Sequence, residues 1–145
     1  MLTICQIDFA TPEYDEAVAL RYEVLRKPLG LVYLPEQLAK EWSDIHLAAF
    51  DRMGKMVGIL LLTPVDGAEV KMRQVAVAID QQGKGIGASL IAASEEMAKS
   101  RSFEKITLHA RETAVPFYLR LGYQTLGNKF EEVNIPHFKM EKVLY

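Results

Sequence analysis

The segment that most limits what this chain can become runs from Val75 to Gly87. An apolar, β-prone run, Val75-Ala76-Val77-Ala78-Ile79, is followed by Asp80-Gln81-Gln82-Gly83-Lys84-Gly85-Ile86-Gly87. An amphipathic pattern then continues to about Arg101, its apolar stripe made by Ile86, Leu90, Ile91, Met97 and Ala98. Strand, glycine-rich bend and helix in that order predict a nest of backbone amides at a helix start. Such a nest carries partial positive charge and suits a phosphate or pyrophosphate. Glycine at alternate positions frees the backbone to turn left-handed and leaves no Cβ in a ligand's way.

Two familiar phosphate loops fit this segment poorly. A P-loop needs an upstream glycine where this chain has Ala78, and Ser or Thr where it has Gly85. The dinucleotide fingerprint tolerates Ala88 as its third small residue, but it belongs to the first strand of a βαβ unit. Here the loop follows a run of antiparallel hairpins.

The rest of the chain alternates strand and helix, predicting one α/β domain over residues 1–145. Leu2–Asp8 reads as a strand. Thr11-Pro12 caps a helix reaching about Arg26 and stopped by Pro28-Leu29-Gly30. A short helix is expected from Pro35 to about Trp42, then a meander of Ile45–Asp51, Lys55–Thr63 and Glu69–Ile79. The turns Asp51–Gly54 and Val65–Gly67 each contain the glycine that hairpins favour. Beyond the long helix come a strand at Ile106–Ala110, a helix capped by Thr113 with Pro116 in its first turn, and strands at Tyr123–Leu126 and Ile135–Val143.

Composition narrows the function classes. Half of the 145 residues are hydrophobic and a quarter charged, which argues against disorder. Seventeen basic and 19 acidic residues leave a net charge of −2, without the basic footprint of a nucleic-acid binder. The longest apolar stretch, Val57–Leu62, is too short to span a bilayer, and the N-terminus does not read as a signal peptide. A cytoplasmic protein with no membrane partner is expected. Cys5 is the sole cysteine, so it makes neither an internal disulfide nor a zinc site alone. It is expected in the first strand as a small apolar residue, and no metal is expected.

Three segments together resemble a known family. Gln82-x-x-Gly85-x-Gly87 after Val75–Ile79 resembles motif A of the GNAT acetyltransferases. Ala114-Val-Pro-Phe117-Tyr118-Leu-Arg-Leu-Gly122-Tyr123 resembles their motif B. The tail from Phe130 to Lys142 resembles the closing segment of small bacterial members of the ElaA-like type, as do Arg21–Pro28 and Glu41–His46. The resemblance covers nearly the whole chain. It implies a mixed central sheet of six to seven strands with four helices, the fourth and fifth strands splayed.

It also implies acetyl-CoA as donor and a primary amine of a small molecule as acceptor, joined by direct transfer in a ternary complex. The pantetheine arm would pair with the backbone of Val75, Ala76 and Val77. Gln82, Gly83, Lys84, Gly85, Ile86 and Gly87 would hold the pyrophosphate. Arg111 stands where the family often has Asn or Gln, and is a candidate for a coenzyme phosphate or a substrate carboxylate. Phe117 and Tyr118 would lie by the sulfur, with Tyr118 as general acid. Candidates for the base are Glu132, His137 and His46; His109, between apolar neighbours on an expected central strand, is less attractive. Arg73 occupies a position where some members carry a catalytic Glu. Trp42 and Tyr33 either wall an acceptor pocket or fill the core. A homodimer is compatible with the family, and a non-catalytic acyl-CoA sensor and a protein N-acetyltransferase are the alternative readings.

Overall fold

Thr11 opens the first helix as the sequence predicts. Its hydroxyl accepts from the Tyr14 amide (3.3 Å), and Pro12 sits in the first turn, where its missing N–H costs nothing. The computed structural model describes all residues, Met1–Tyr145. Seven strands form a sheet in the order β1-β2-β3-β4-β5-β7-β6, with four α-helices between them. The chain divides into two compact units, Met1–Thr63 with Gln74–Ser94, and Pro64–Arg73 with Glu95–Tyr145.

The first unit carries β1 (Thr3–Ile7), α1 (Pro12–Arg21), α2 (Pro35–Ala39), β2 (Ile45–Phe50) and β3 (Met56–Pro64, to Thr63). It also holds the end of β4 (Glu69–Val77) and the start of α3 (Ile86–Ser100). β1, β2 and β3 pair antiparallel. β2 and β3 are buried almost continuously, the pattern of strands covered on both faces. Ile7, Ala17, Ala48, Met56, Ile59 and Ala76 make one core cluster, and Leu20, Val24, Leu25 and Phe50 pack against it. Gly58 shows how tightly β3 meets α3, since a Cβ there would lie 2.6 Å from Leu90 Cδ1 and 3.3 Å from Ile86 Cγ2. The expected single helix to Arg26 changes pitch instead. It passes through a π turn at Tyr22–Arg26 and a 3₁₀ turn at Lys27–Leu29 before Gly30 ends it at φ +69°.

The second unit holds the start of β4, the end of α3, β5 (Lys105–Arg111), α4 (Val115–Arg120), β6 (Gln124–Glu132) and β7 (Ile135–Val143). β4 and β5 run parallel and in register from Glu69↔Lys105 to Met72↔Leu108, where the pairing stops. β5 pairs antiparallel with β7, and β7 with β6. Ile106, Leu108, Ala110 and Met140 are buried on one face of these strands.

Several local readings need correction. β6 runs to Glu132 and not to Leu126, because a register irregularity between Leu126 and Phe130, with Gly127 at φ +70°, breaks the alternation that marks a strand. Thr113 does not cap α4; it lies in a 3₁₀ turn, and Ala114 occupies the cap without a side-chain bond. At Gly54 the hairpin does use a left-handed glycine, φ +82°. Gly67 contributes no positive φ; Asp66 makes that turn by accepting the amides of Ala68 (2.8 Å) and Glu69 (2.7 Å). Cys5 lies in β1 as expected, but exposed.

Candidate functional site

The bend before α3 takes the shape its glycines allow. Gly83 and Gly85 sit at φ +81° and +84°, with nothing within 4 Å of an added Cβ at either position. The first backbone bond of α3 runs from the Ser89 amide to the Gly85 carbonyl (3.1 Å). The amides ahead of Ser89 are therefore the orphan donors every helix start leaves. Residues 82–85 are exposed, whereas Ile86 is buried and Gly87 and Ala88 are half-buried, so the bend itself is the open part of this helix start. Gln82 turns its side chain inward, donating to the Val77 carbonyl (3.1 Å) and bracing the bend against the end of β4. Lys84 keeps its ammonium outside, 3.4 Å from Gln81 Oε1. Left-handed glycines, orphan amides and one cation match a diphosphate in charge and donor type, so the residues present fit the coenzyme.

Just ahead of this bend, β4 carries a non-glycine residue in the left-handed region. Gln74 has φ +57°, and its Oε1 accepts a short bond from the Tyr33 hydroxyl (2.6 Å). Two guanidiniums lie over the Tyr33 ring, Arg21 at 4.7 Å and Arg26 at 4.5 Å from its centroid. Arg21 is wholly buried and grips Glu41 with two 2.8 Å bonds, while Tyr14 donates to the same carboxylate (2.8 Å). Burial pushes the Glu41 carboxyl up, but Arg21 and the Tyr14 hydroxyl outweigh it and hold the pKa below the usual range. His46 completes this interior cluster. Its Nε2 donates to the Glu41 carbonyl (2.9 Å), its ring lies edge-on to Tyr14 at 5.3 Å, and only 2% of the residue is exposed. Its other ring nitrogen, Nδ1, is buried without a hydrogen-bond partner. Trp42 was placed by sequence in a pocket wall or the core; at 71% exposure it is a surface side chain, and Tyr33 is held by the arginines.

In the second unit, Tyr118 lies on α4 and is buried. The Phe117 ring meets it at 5.1 Å and the Tyr123 ring at 5.8 Å. Its carbonyl closes the turn after α4 by accepting the amides of Leu121 and Tyr123, both at 3.0 Å. Lys142 secures that turn from β7, donating to the Leu121 carbonyl (2.9 Å) and to Glu95 (3.0 Å), which also accepts from Tyr123. Burial alone pushes the Tyr118 phenol up to about 12. It stays protonated across any working pH and is available as a hydrogen-bond donor. A free thiol has a reference pKa near ~8.5, so full proton transfer from this phenol to a thiolate would be uphill.

The other residues singled out from the sequence separate into two places. Glu132 and His137 come together in the second unit, and His109 joins them, which sequence reasoning ranked low. His109 Nδ1 is 2.9 Å from Glu132 Oε1, and His137 Nε2 is 3.7 Å from Glu132 Oε2. His137 is buried, its Nδ1 donating to the Ile135 carbonyl (2.7 Å) and its ring stacked on Phe130. Phe130 also meets His109 edge-on at 5.0 Å. Burial pushes the Glu132 carboxyl up, yet the His109 bond and the neighbouring His137 and Lys71 charges leave it net lowered. Arg111 stands opposite His137 in the β5–β7 register. No group of three or more His, Cys, Asp or Glu side chains is arranged to hold a metal ion, and no helix is long and apolar enough to cross a membrane.

Residues 15–144 match the family described as Acetyltransferase (GNAT) domain. The chain is 33% identical over 131 residues to YjcF of Bacillus subtilis strain 168, named an uncharacterized N-acetyltransferase, covering 90% of this chain and 92% of YjcF. This chain belongs to the GNAT acetyltransferase family. Other curated relatives match over less. The chain spans 44% of the length of two uncharacterized acetyltransferases of Streptococcus pyogenes, at 36% identity over 64 residues.

Solved structures support the fold. A candidate N-acetyltransferase from Lactobacillus plantarum superposes with TM-score 0.89 at 23% identity, covering 99% of each chain. Escherichia coli ElaA gives 0.82 at 16%, covering 98% and 99%. A GNAT family acetyltransferase from Elizabethkingia anophelis with acetyl-CoA bound gives 0.75 at 19%, covering 98% and 97%. The mixed seven-stranded sheet with four helices is thus the GNAT fold.

Proposed function

We propose that this chain works as a single N-acetyltransferase domain, moving an acetyl group from acetyl-CoA to a primary amine of a small molecule within a ternary complex. The observation that carries the reading is the bend at Gly83 and Gly85, two left-handed glycines ahead of α3 with open space where a Cβ would stand at either. Family membership and a fold neighbour solved with acetyl-CoA support the choice of ligand.

Bound acetyl-CoA would supply an activated acetyl thioester. The amides of residues 83–87, with Lys84, would hold its diphosphate. The end of β4, Val75–Val77, would align its pantetheine arm as an added strand does, although the Val77 carbonyl is already engaged by Gln82. The Gln74 bend re-aims the backbone there, and the following amide at Val75 is the candidate to polarise the thioester carbonyl. Tyr118, held protonated by burial, would stabilise the departing sulfur.

The experiment is acetyl-CoA with a panel of primary amines, following free thiol. Thiol release that depends on the amine supports the reading. Tight acetyl-CoA binding with no thiol released for any amine would instead make the chain an acyl-CoA sensor, and release only with peptides would make it a protein N-acetyltransferase.

A further inference from the structure

Thr107, His109 and Arg111 alternate along β5 with Ile106, Leu108 and Ala110 and so share the opposite face, Thr107 buried beside Glu69 and the other two partly open. The strand register brings Lys71 of β4 beside Thr107, Lys139 of β7 opposite His109, and Phe130 of β6 opposite His137. The face is polar and reachable, with the His109 side chain 28% exposed and that of Glu132 46%.

Two contacts compete for His109 Nδ1, Glu132 Oε1 at 2.9 Å and Lys71 Nζ at 3.4 Å. A carboxylate only accepts, so the shorter contact requires Nδ1 to carry the proton. Nε2 is then a bare nitrogen, the arrangement of an imidazole set up to take a proton. His137 is not equivalent, since it is 4% exposed and spends its Nδ1–H on a backbone carbonyl. The titratable groups facing His109 are Lys71 from β4, Glu132 from β6, and His137 with Lys139 from β7. Lys71, Arg73, Lys139 and Arg111 put four ammonium or guanidinium groups along this face, while Glu69 and Glu141 face Lys105 at its far end. Burial lowers the Lys71 pKa, Glu132 counters, and repulsion from Arg73 and Lys139 lowers it further.

We propose that this face of β4, β5 and β7 is the acceptor subsite, in which His109 is the general base, Glu132 orients it, and Lys71 with Lys139 bind an anionic group carried by the acceptor amine. The inference rests on the acetyltransferase reading and names the substrate class, an amine that also bears a carboxylate or phosphate. His109 Nε2 takes one proton from the acceptor ammonium. The freed nitrogen forms the C–N bond as the C–S bond of the donor breaks. The nitrogen's second proton neutralises the thiolate, and the imidazolium returns its proton to solvent. Polycationic amines are disfavoured by the same lysines.

The test uses the full chain with acetyl-CoA and three primary amines: an ω-amino carboxylate, an alkylamine of equal length and an aminoglycoside. The ω-amino carboxylate is expected to have the highest kcat/KM. Lys139→Gln raises its KM about 5-fold more than that of the alkylamine, the scale of a single exposed ion pair. His109→Gln lowers kcat about 10²-fold at neutral pH, with acetyl-CoA affinity kept. That deficit shrinks as pH approaches the acceptor's own value near ~10.4, where the amine sheds its proton unaided. Independently of turnover, the imidazole nitrogen spectrum of the chain alone shows His109 protonated at Nδ1, and Glu132→Gln loses that tautomer preference. Wild-type kcat in His109→Gln, or preference for the aminoglycoside, overturns the subsite and leaves the acetyltransferase reading standing. A wild-type chain that binds acetyl-CoA yet releases no thiol with any amine overturns that reading, and the subsite with it.

Discussion

Two constellations in this molecule use nearly the same residue types to opposite ends. In the first unit, Glu41 joins Arg21, Tyr14 and His46 in the interior, with Arg21 wholly buried and Glu41 at 4% exposure. In the second, Glu132 joins His109, His137 and Lys71 on a face where its side chain remains 46% exposed. Burial separates them. An enclosed carboxylate must be matched bond for bond, and once matched it is locked in place. A carboxylate at the surface keeps lone pairs and neighbours that can exchange protons with an arriving ligand. The enclosed set braces the Gln74 bend through Arg21 and Tyr33, and the open set is the one we propose for chemistry.

The largest expected effect sets the two glutamates against each other. Glu41→Gln removes one partner of a buried ion pair and leaves Arg21 uncompensated, so it should destabilise the chain by about 3–5 kcal/mol in denaturant unfolding. Glu132→Gln should change stability by less than about 1 kcal/mol. Equal losses would erase the distinction. Tyr118→Phe comes next, with kcat down about 10²-fold while acetyl-CoA affinity and stability stay near wild type. Unchanged turnover across pH would remove Tyr118 from the reaction.

A smaller effect follows from acid. The folded pKa of Glu41 is lowered, so its contribution to stability is present above the unfolded value near ~4.3 and is lost as pH falls through the folded one. Wild type should lose stability on acidification below that range, and Glu41→Gln should lack this component. Glu132, lowered in the same direction but half open to water, should add only a minor, salt-screened share.

The contrast between the enclosed and the open cluster was only partly legible in the sequence. Local signals worked where a residue's own backbone settles the matter: Thr11-Pro12 opened a helix, Gly30 closed one, and Gly83 and Gly85 turned left-handed ahead of α3. They failed where the answer depended on strands distant in sequence. His109 looked unpromising between Leu108 and Ala110, yet alternation buries those two and turns His109 to the open face. Its partner Glu132 lies on a strand that the irregularity at Leu126 concealed. His46 and His137 were indistinguishable as residue types; only the fold encloses one against Glu41 and sets the other beside Glu132. Arg21 carried no marker of burial at all, because its partner lies 20 residues away.

The account stands or falls on the bend at residues 83–87 as the coenzyme's grip, and calorimetric titration of acetyl-CoA into wild type and Gly85→Val tests it most directly. Valine at φ +84° is strained and its side chain would fill the space left for the diphosphate. The account predicts saturable binding to the wild type and at least about a 10²-fold weaker complex with the variant, which corresponds to about 2.7 kcal/mol. Equal affinity for the two folded proteins would contradict it.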